Sequence, residues 1–495
     1  MTTLVFELDT DLIAEIAETD HLSIIIGAGA SMEATFPSWQ ELLRRLLHRV
    51  ALDQGLGPEE TPEFVDWVLR AESPGAAGSI AQVELGHTFA DRLRECLYHN
   101  VRGHAPGETS LAAATLALTY VSGDCHIATT NYDPMMREAI ESVVKDLGRS
   151  ETVRAVTTAG RRRSGEVLVR YLHGFVPRKG KILGSVVLTE SDYVVMQDES
   201  AWQEGYFGRR LKKSLCLFVG TSMTDPNLVR YLHRNKGGRQ DHVAILSRQS
   251  DVDEYERMHP RVALTRDETM RRRWAAAGLR AVVTDSFAES AQLVWEIAHR
   301  REAGDDYLDL EVRLDDWFAR LRGDLLPSGQ AFRDAQDRLS SVVDGLLEGV
   351  KREIRKGGRR LGSGERLGMS IWLHLPKSGE LLHLADSDRA WRDRDTLIPI
   401  PAVPSSPFVA AKAFCSGSVV ERSTESFVAT RWNHVVAIPL YLKSDGANRL
   451  PVGAISLATT KPPKLSVFNR ARDVLETRIL PALAGLGASL LDPDS

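Results

Sequence analysis

At 495 residues the chain is too long for one ordinary hydrophobic core and predicts two or three domains. Hydrophobic content of 43% and charged content of 26% are those of a globular protein, and a formal net charge of −5 supplies no overall pull toward nucleic acid or an anionic membrane. Basic runs at Arg161-Arg162-Arg163, Arg271-Arg272-Arg273 and 351–360 read as solvated loops and helix faces, without the aromatic interleaving of a base-stacking surface. The four cysteines, Cys96, Cys125, Cys216 and Cys415, form no C-x-x-C pair, which excludes a zinc ribbon, predicts no metal and fits a reducing cytoplasm. The opening residues carry acidic groups and no basic n-region, so no signal peptide is expected, and no apolar run is long enough to span a membrane.

From about residue 20 to 300, short apolar runs alternate with helical patterns. The first run, Leu22-Ser-Ile-Ile-Ile, breaks directly into Gly27-Ala28-Gly29-Ala30-Ser31, followed by Pro37, Ser38 and Trp39. A buried parallel strand turning sharply into a loop that admits a phosphate has this pattern, although many β-to-α turns use glycine for structure alone. Further candidate strands are 125–129, 167–171, 215–220, 242–246 and 280–283, each nearly continuous in apolar residues, as in strands covered on both faces. Between them, 39–50 places Leu42, Leu43, Leu46, Leu47 and Val50 at helical spacing. The expectation is a doubly wound, Rossmann-like parallel sheet over 1–300, with ligands beyond the carboxyl ends of its strands.

The segment 301–360 is helical. Phe332, Ala335, Leu339, Val342, Leu346, Val350 and Ile354 form one stripe, which is either an intramolecular packing face or a dimer seam. From 361 to 495 the pattern becomes antiparallel: hairpins are expected around Pro376-Lys-Ser-Gly and over Lys443-Ser-Asp-Gly-Ala-Asn, and a closing helix over 468–491. This is a separate α+β domain.

Residues just after the strands carry the chemistry. They are Thr129-Thr130-Asn131-Tyr132-Asp133, Leu172-His173-Gly174 and Gly220-Thr221-Ser222-Met223-Thr224-Asp225-Pro226-Asn227. Singly, Asn131 and Asp133 serve as turn or cap residues, His173 satisfies a buried carbonyl, and Asp225-Pro226 starts a helix. Together after successive strands they gather an amide, a carboxylate and an imidazole at one sheet edge. Asp285 is expected to cap the helix that follows it.

With Gly27-Ala-Gly-Ala-Ser31, these motifs and Leu188-Thr-Glu-Ser-Asp-Tyr193 resemble the sirtuin-like NAD-binding superfamily, in particular its bacterial branch in antiphage defence, over roughly residues 15–290. The resemblance implies hydrolysis of the nicotinamide–ribose bond of NAD, with NAD as substrate. It places Gly27, Ala28, Gly29, Ser31, Thr130, Gly220, Thr221 and Ser222 around the dinucleotide. Asn131 would bind the ribose or the attacking water, Asp133 would meet the carboxamide side, and His173 would act as general base. The protein deacylases of the superfamily carry two cysteine pairs on zinc, a Gln where Thr130 stands and Asp-Phe-Arg where Ser38-Trp39 stands. These departures argue against deacylation. A non-catalytic NAD or ADP-ribose sensor and an ADP-ribosyltransferase are the alternatives.

The stretch 361–495 resembles a GAF domain through Lys412-Ala-Phe-Cys-Ser-Gly-Ser-Val-Val420, Val435-Val-Ala-Ile-Pro-Leu440 and Pro451-Val-Gly-Ala-Ile-Ser-Leu457. Trp372, His374, Trp391 and Trp432 either frame a pocket for a planar ligand or belong to core and surface. An NAD-destroying enzyme needs restraint. The combination therefore suggests a homo-oligomeric abortive-infection effector whose GAF-like domain receives a nucleotide or phage-protein trigger.

Overall fold

The computed structural model describes residues 8–99, 101, 105–120, 124–198, 201–235, 242–248, 258–423, 431–443 and 449–493. Residues 1–7 and positions 444–448 of the expected turn lie outside those described. The chain divides into two compact units, one of Glu15–Thr284 and the other of Asp285–Ser495 with Met1–Ala14.

In the first unit seven strands form one parallel sheet: β1 Leu22–Ile26, β2 Cys125–Thr129, β3 Thr152–Val156, β4 Glu166–Tyr171, β5 Leu215–Val219, β6 His242–Ser247 and β7 Leu279–Thr284, in the order β3-β4-β2-β1-β5-β6-β7. Every residue of β1 and β5 is buried, which explains their unbroken apolar runs. Only β3 escapes the apolar pattern. It is an edge strand whose Thr152 and Arg154 face solvent, so its sequence lacks a buried run.

Strand order reverses at β1, where the chain runs first to β2 and later returns to β5 on the other side. Ile26 pairs with Thr129 on one side and Val219 on the other, and Thr129 pairs with Tyr171. The loops after β1, β2, β4 and β5 therefore leave the sheet side by side at the switch point, where doubly wound sheets hold ligands. Helix Trp39–Asp53 starts where Ser38 accepts the Glu41 N–H at 3.2 Å, and it buries Leu42, Leu43, Leu46, Leu47 and Val50.

The second unit holds a six-stranded antiparallel sheet. Its strands are β8 Leu367–Leu375, β9 Glu380–Asp386, β10 Pro399–Pro401, β11 Val420–Ser423, β12 His434–Lys443 and β13 Arg449–Thr459, in the order β10-β9-β8-β13-β12-β11. Helix Gly329–Lys356 spends its apolar stripe inside this unit's own core. Packing selects the row Phe332, Ala335, Leu339, Val343, Leu347, Val350 and Ile354 as the buried stripe, with Leu346 only partly buried against it. Val342 is exposed.

Two expectations for this unit change, and one choice left open is narrowed. The closing helix is broken into Val467–Arg470, Arg472–Val474, a π-turn over Leu475–Ile479, and Leu480–Leu490. Pro481 has no N–H for Thr477 and its ring crowds that carbonyl, so the turn widens. Asp285 is not the cap of helix Phe287–Ala303: Ser286 accepts the Glu289 N–H, and Glu289 in turn accepts the Asp285 N–H. Trp372, His374 and Trp391 are buried, with Trp372 stacked on His383 at 4.3 Å, so their apolar surface is already spent on core packing.

Glu365 ties the ends of this sheet together. Its buried carboxylate accepts from Gly362 N, Thr459 Oγ1, Val467 N and Arg470. A buried charge satisfied by four donors becomes a liability to its donors when removed. Glu365→Ala should destabilise this unit by about 3 kcal/mol, read from its denaturant midpoint; an unchanged midpoint would contradict this account.

Candidate functional site

The site starts from two loops in direct backbone contact. Gly27 N–H donates to Val219 O at 2.9 Å and Gly29 N–H to Gly220 O at 2.7 Å. A β-carbon on Gly27 would sit 2.6 Å from Gly220 O, and one on Gly29 2.8 Å from the same atom. Gly220 has φ +65°, and its own β-carbon would meet Ala30 N at 2.6 Å. The glycines thus join loop to loop, and two of the amides expected to face a phosphate are already committed. Among the described residues the Ala28, Thr221 and Ser222 N–H groups donate to no acceptor, and these are the amides left for an anion.

Asn131 locks the β2 loop onto this pair. Its Nδ2 donates to Gly27 O and to Ser31 Oγ, both at 2.9 Å, and its backbone N–H donates to Thr129 Oγ1 at 3.0 Å. Gly27 O can only accept, so the orientation of the amide is determined. The group left for a ligand is Oδ1, an acceptor suited to a hydroxyl or a water. Thr130 donates its N–H to Ile26 O at 3.1 Å and is half-buried. Ser31 donates to Asp133 Oδ1 at 3.0 Å, and the same oxygen accepts the Met135 N–H at 2.9 Å. Asn131, Ser31 and Asp133 are one continuous chain of hydrogen bonds, all buried.

His173 stands in a second cluster. Asn131 and His173 each lie two residues beyond the paired positions Thr129 and Tyr171, so register sets them at neighbouring strand ends. His173 Nε2 is 3.2 Å from Asp225 Oδ2, while Asp225 Oδ1 accepts from Asn227 N and Leu228 N. A carboxylate there favours the proton on Nε2 and leaves Nδ1 with the lone pair. Burial holds the imidazole below its ordinary pKa and Asp225 pulls the other way, so the neutral base predominates near pH 7. The Tyr193 ring meets the imidazole edge-on at 6.0 Å. Tyr193 is delivered by a capping box in which Thr189 and Asp192 exchange hydrogen bonds at the start of Glu190–Val195.

Asp225 is the residue that sequence reasoning missed. The Asp-Pro-Asn string reads as a helix start, which it is, and one oxygen does that while the other faces His173. Thr221 Oγ1 accepts the Met223 N–H at 3.2 Å, and Ser222 Oγ lies 2.7 Å from Thr224 Oγ1. Met223 is buried with φ +54°, an unfavourable conformation for its type held by this turn.

Residues 125–281 match the family model described as a SIR2-like domain. Two proteins described as NAD(+) hydrolase ThsA are similar to this chain. That of Enterococcus faecium is 28% identical over 225 residues, 44% of this chain and 41% of the relative. That of Bacillus cereus (strain MSX-D12) is 27% identical over 228 residues, 45% of this chain and 41% of the relative. The matched region thus spans less than half the length of these curated relatives. A crystal structure of a Sir2 homolog–NAD complex is matched at 14% identity with a TM-score of 0.31, covering 60% of this chain and 95% of that one.

Burial pushes the Asp133 carboxyl up to about 6 against the opposing bonds from Met135 and Ser31. A raised acid favours the fold below its unfolded pKa, and that contribution is lost as pH climbs through about 6. Asp133→Asn keeps an oxygen for both donors and cannot ionise. Its melting temperature relative to wild type should therefore rise between pH 4 and pH 7; a difference that stays flat or falls would contradict the assignment.

Proposed function

We propose that this chain hydrolyses NAD+ to nicotinamide and ADP-ribose. The observation that carries the reading is the registered placement of Asn131 and His173 beside two loops whose Ala28, Thr221 and Ser222 amides are unspent. The similarity to the two NAD(+) hydrolases supports it. Cleavage develops oxocarbenium character on the ribose as neutral nicotinamide leaves. Orientation and placed charge supply most of the rate, and little covalent help is needed. The three amides hold the pyrophosphate, and Asn131 Oδ1 orients the ribose hydroxyl or the water. His173 Nδ1 takes a proton from it, with Asp225 fixing the ring. Asp133 acts through Ser31, which holds Asn131, and is a positioning residue in this scheme.

The second unit, with its antiparallel sheet and leading helix, we read as a GAF-like regulatory module over 361–495. In this reading the protein is a homo-oligomeric cytoplasmic effector of abortive infection, released by a nucleotide or a phage protein.

Purified protein with NAD+ should yield nicotinamide and ADP-ribose in equal amounts, followed by chromatography. Asn131→Ala and His173→Ala should each lower the rate at least about 100-fold with melting temperature preserved. Either variant turning over at the wild-type rate would contradict the roles. Asp225→Asn should lower the plateau rate and move the acid limb of the pH profile to lower pH, because the carboxylate raises the His173 pKa. An acid limb that stays in place would remove Asp225 from the scheme.

A further inference from the structure

A second polar cluster lies on the sheet face covered by helix Trp202–Lys213. Ala128 of β2 pairs with Arg170 of β4, and Arg170 with Val156 of β3, so His126, Arg170 and Arg154 project to the same face. Tyr206 and Arg210 of the helix meet them. The Arg170 guanidinium carbon is 5.2 Å from the Tyr206 ring centre and that of Arg210 is 5.9 Å away. Arg209 and Arg162 also border the group.

The charges here do not cancel. Arg154 is paired with Glu166 at 3.0 Å, and Arg162 donates to the Glu166 carbonyl. Outside the cluster His21 is paired with Asp124. Among the described residues, no carboxylate pairs with Arg170, Arg209 or Arg210. The Tyr206 hydroxyl, on a side chain only 5% exposed, has no partner, and neither has the buried Arg210 Nε. Burial and the surrounding arginines hold His126 down at about 3, and burial with the neighbouring guanidiniums also lowers Arg170. Like charges crowded in a poorly solvated place are costly unless an anion completes them.

We propose that His126, Arg170, Tyr206 and Arg210 form a site for one phosphate or pyrophosphate group of a small molecule, separate from the loops at the strand ends. Guanidiniums present paired donors matched to phosphate oxygens, Tyr206 adds an O–H donor, and His126 gains a proton and a donor when the anion arrives. The buried depth of Tyr206 suits one compact group rather than a polymer backbone lying along a surface.

Titration calorimetry of the full chain with inorganic pyrophosphate tests this, with a 15-nucleotide RNA in a parallel titration. Pyrophosphate should bind, and Arg170→Gln and Arg210→Gln should each weaken it at least about tenfold. Tyr206→Phe, which preserves the ring, should weaken binding without lowering the melting temperature. No binding at millimolar pyrophosphate, or equal binding by wild type and both arginine variants, would overturn the proposal. So would RNA binding that depends on Arg170 without any pyrophosphate binding.

Discussion

The site depends on three glycines that remove every side chain from between two loops. Gly27 and Gly29 after β1 press against Gly220 after β5, and the contact is made by backbone hydrogen bonds at 2.9 and 2.7 Å. A single methyl group at any of the three would have to displace backbone rather than a flexible side chain. The switch point of the sheet explains why the contact occurs here. β1 and β5 are neighbours in space yet nearly 200 positions apart in sequence, and nothing but loop meets loop at their carboxyl ends.

On this base the polar groups are arranged so that each buried side chain has one assignment. Asn131 spends its donors on Gly27 and Ser31, Ser31 spends its proton on Asp133, and Asp225 divides its two oxygens between a helix start and His173. Networks satisfied in this way are rigid, and rigidity is what a reaction driven by orientation requires. In the proposed scheme the remaining acceptor on Asn131 and the remaining lone pair on His173 are the groups that act on the substrate. Burial tunes both acid–base groups toward neutrality, raising Asp133 and lowering His173.

Much of this was legible in the residues. Long-range strand pairing is invisible in one sequence, but nearly continuous apolar runs revealed six of the seven strands of the parallel sheet and the loops that follow them. β3 was hidden because an edge strand with Arg154 and Thr152 facing water has no buried run to detect. The glycines were read as making room for phosphate, and the structure shows them making room for each other; the two demands leave the same letters. Asp225 was hidden for a similar reason, since a capping Asp before Pro looks the same whether or not its second oxygen meets a histidine. In the second unit the helix stripe slipped by one position between Val342 and Val343, a choice that packing decides and spacing alone does not. Pro481 was visible, but the widened turn it produces depends on the carbonyl it crowds.

The most direct test of the central claim is a crystal structure of the His173→Ala chain with NAD+ bound. The account predicts the pyrophosphate within hydrogen-bond reach of the Ala28, Thr221 and Ser222 amides, and the nicotinamide ribose on Asn131 Oδ1. A dinucleotide bound away from these loops, or a ribose out of reach of Asn131, would contradict it.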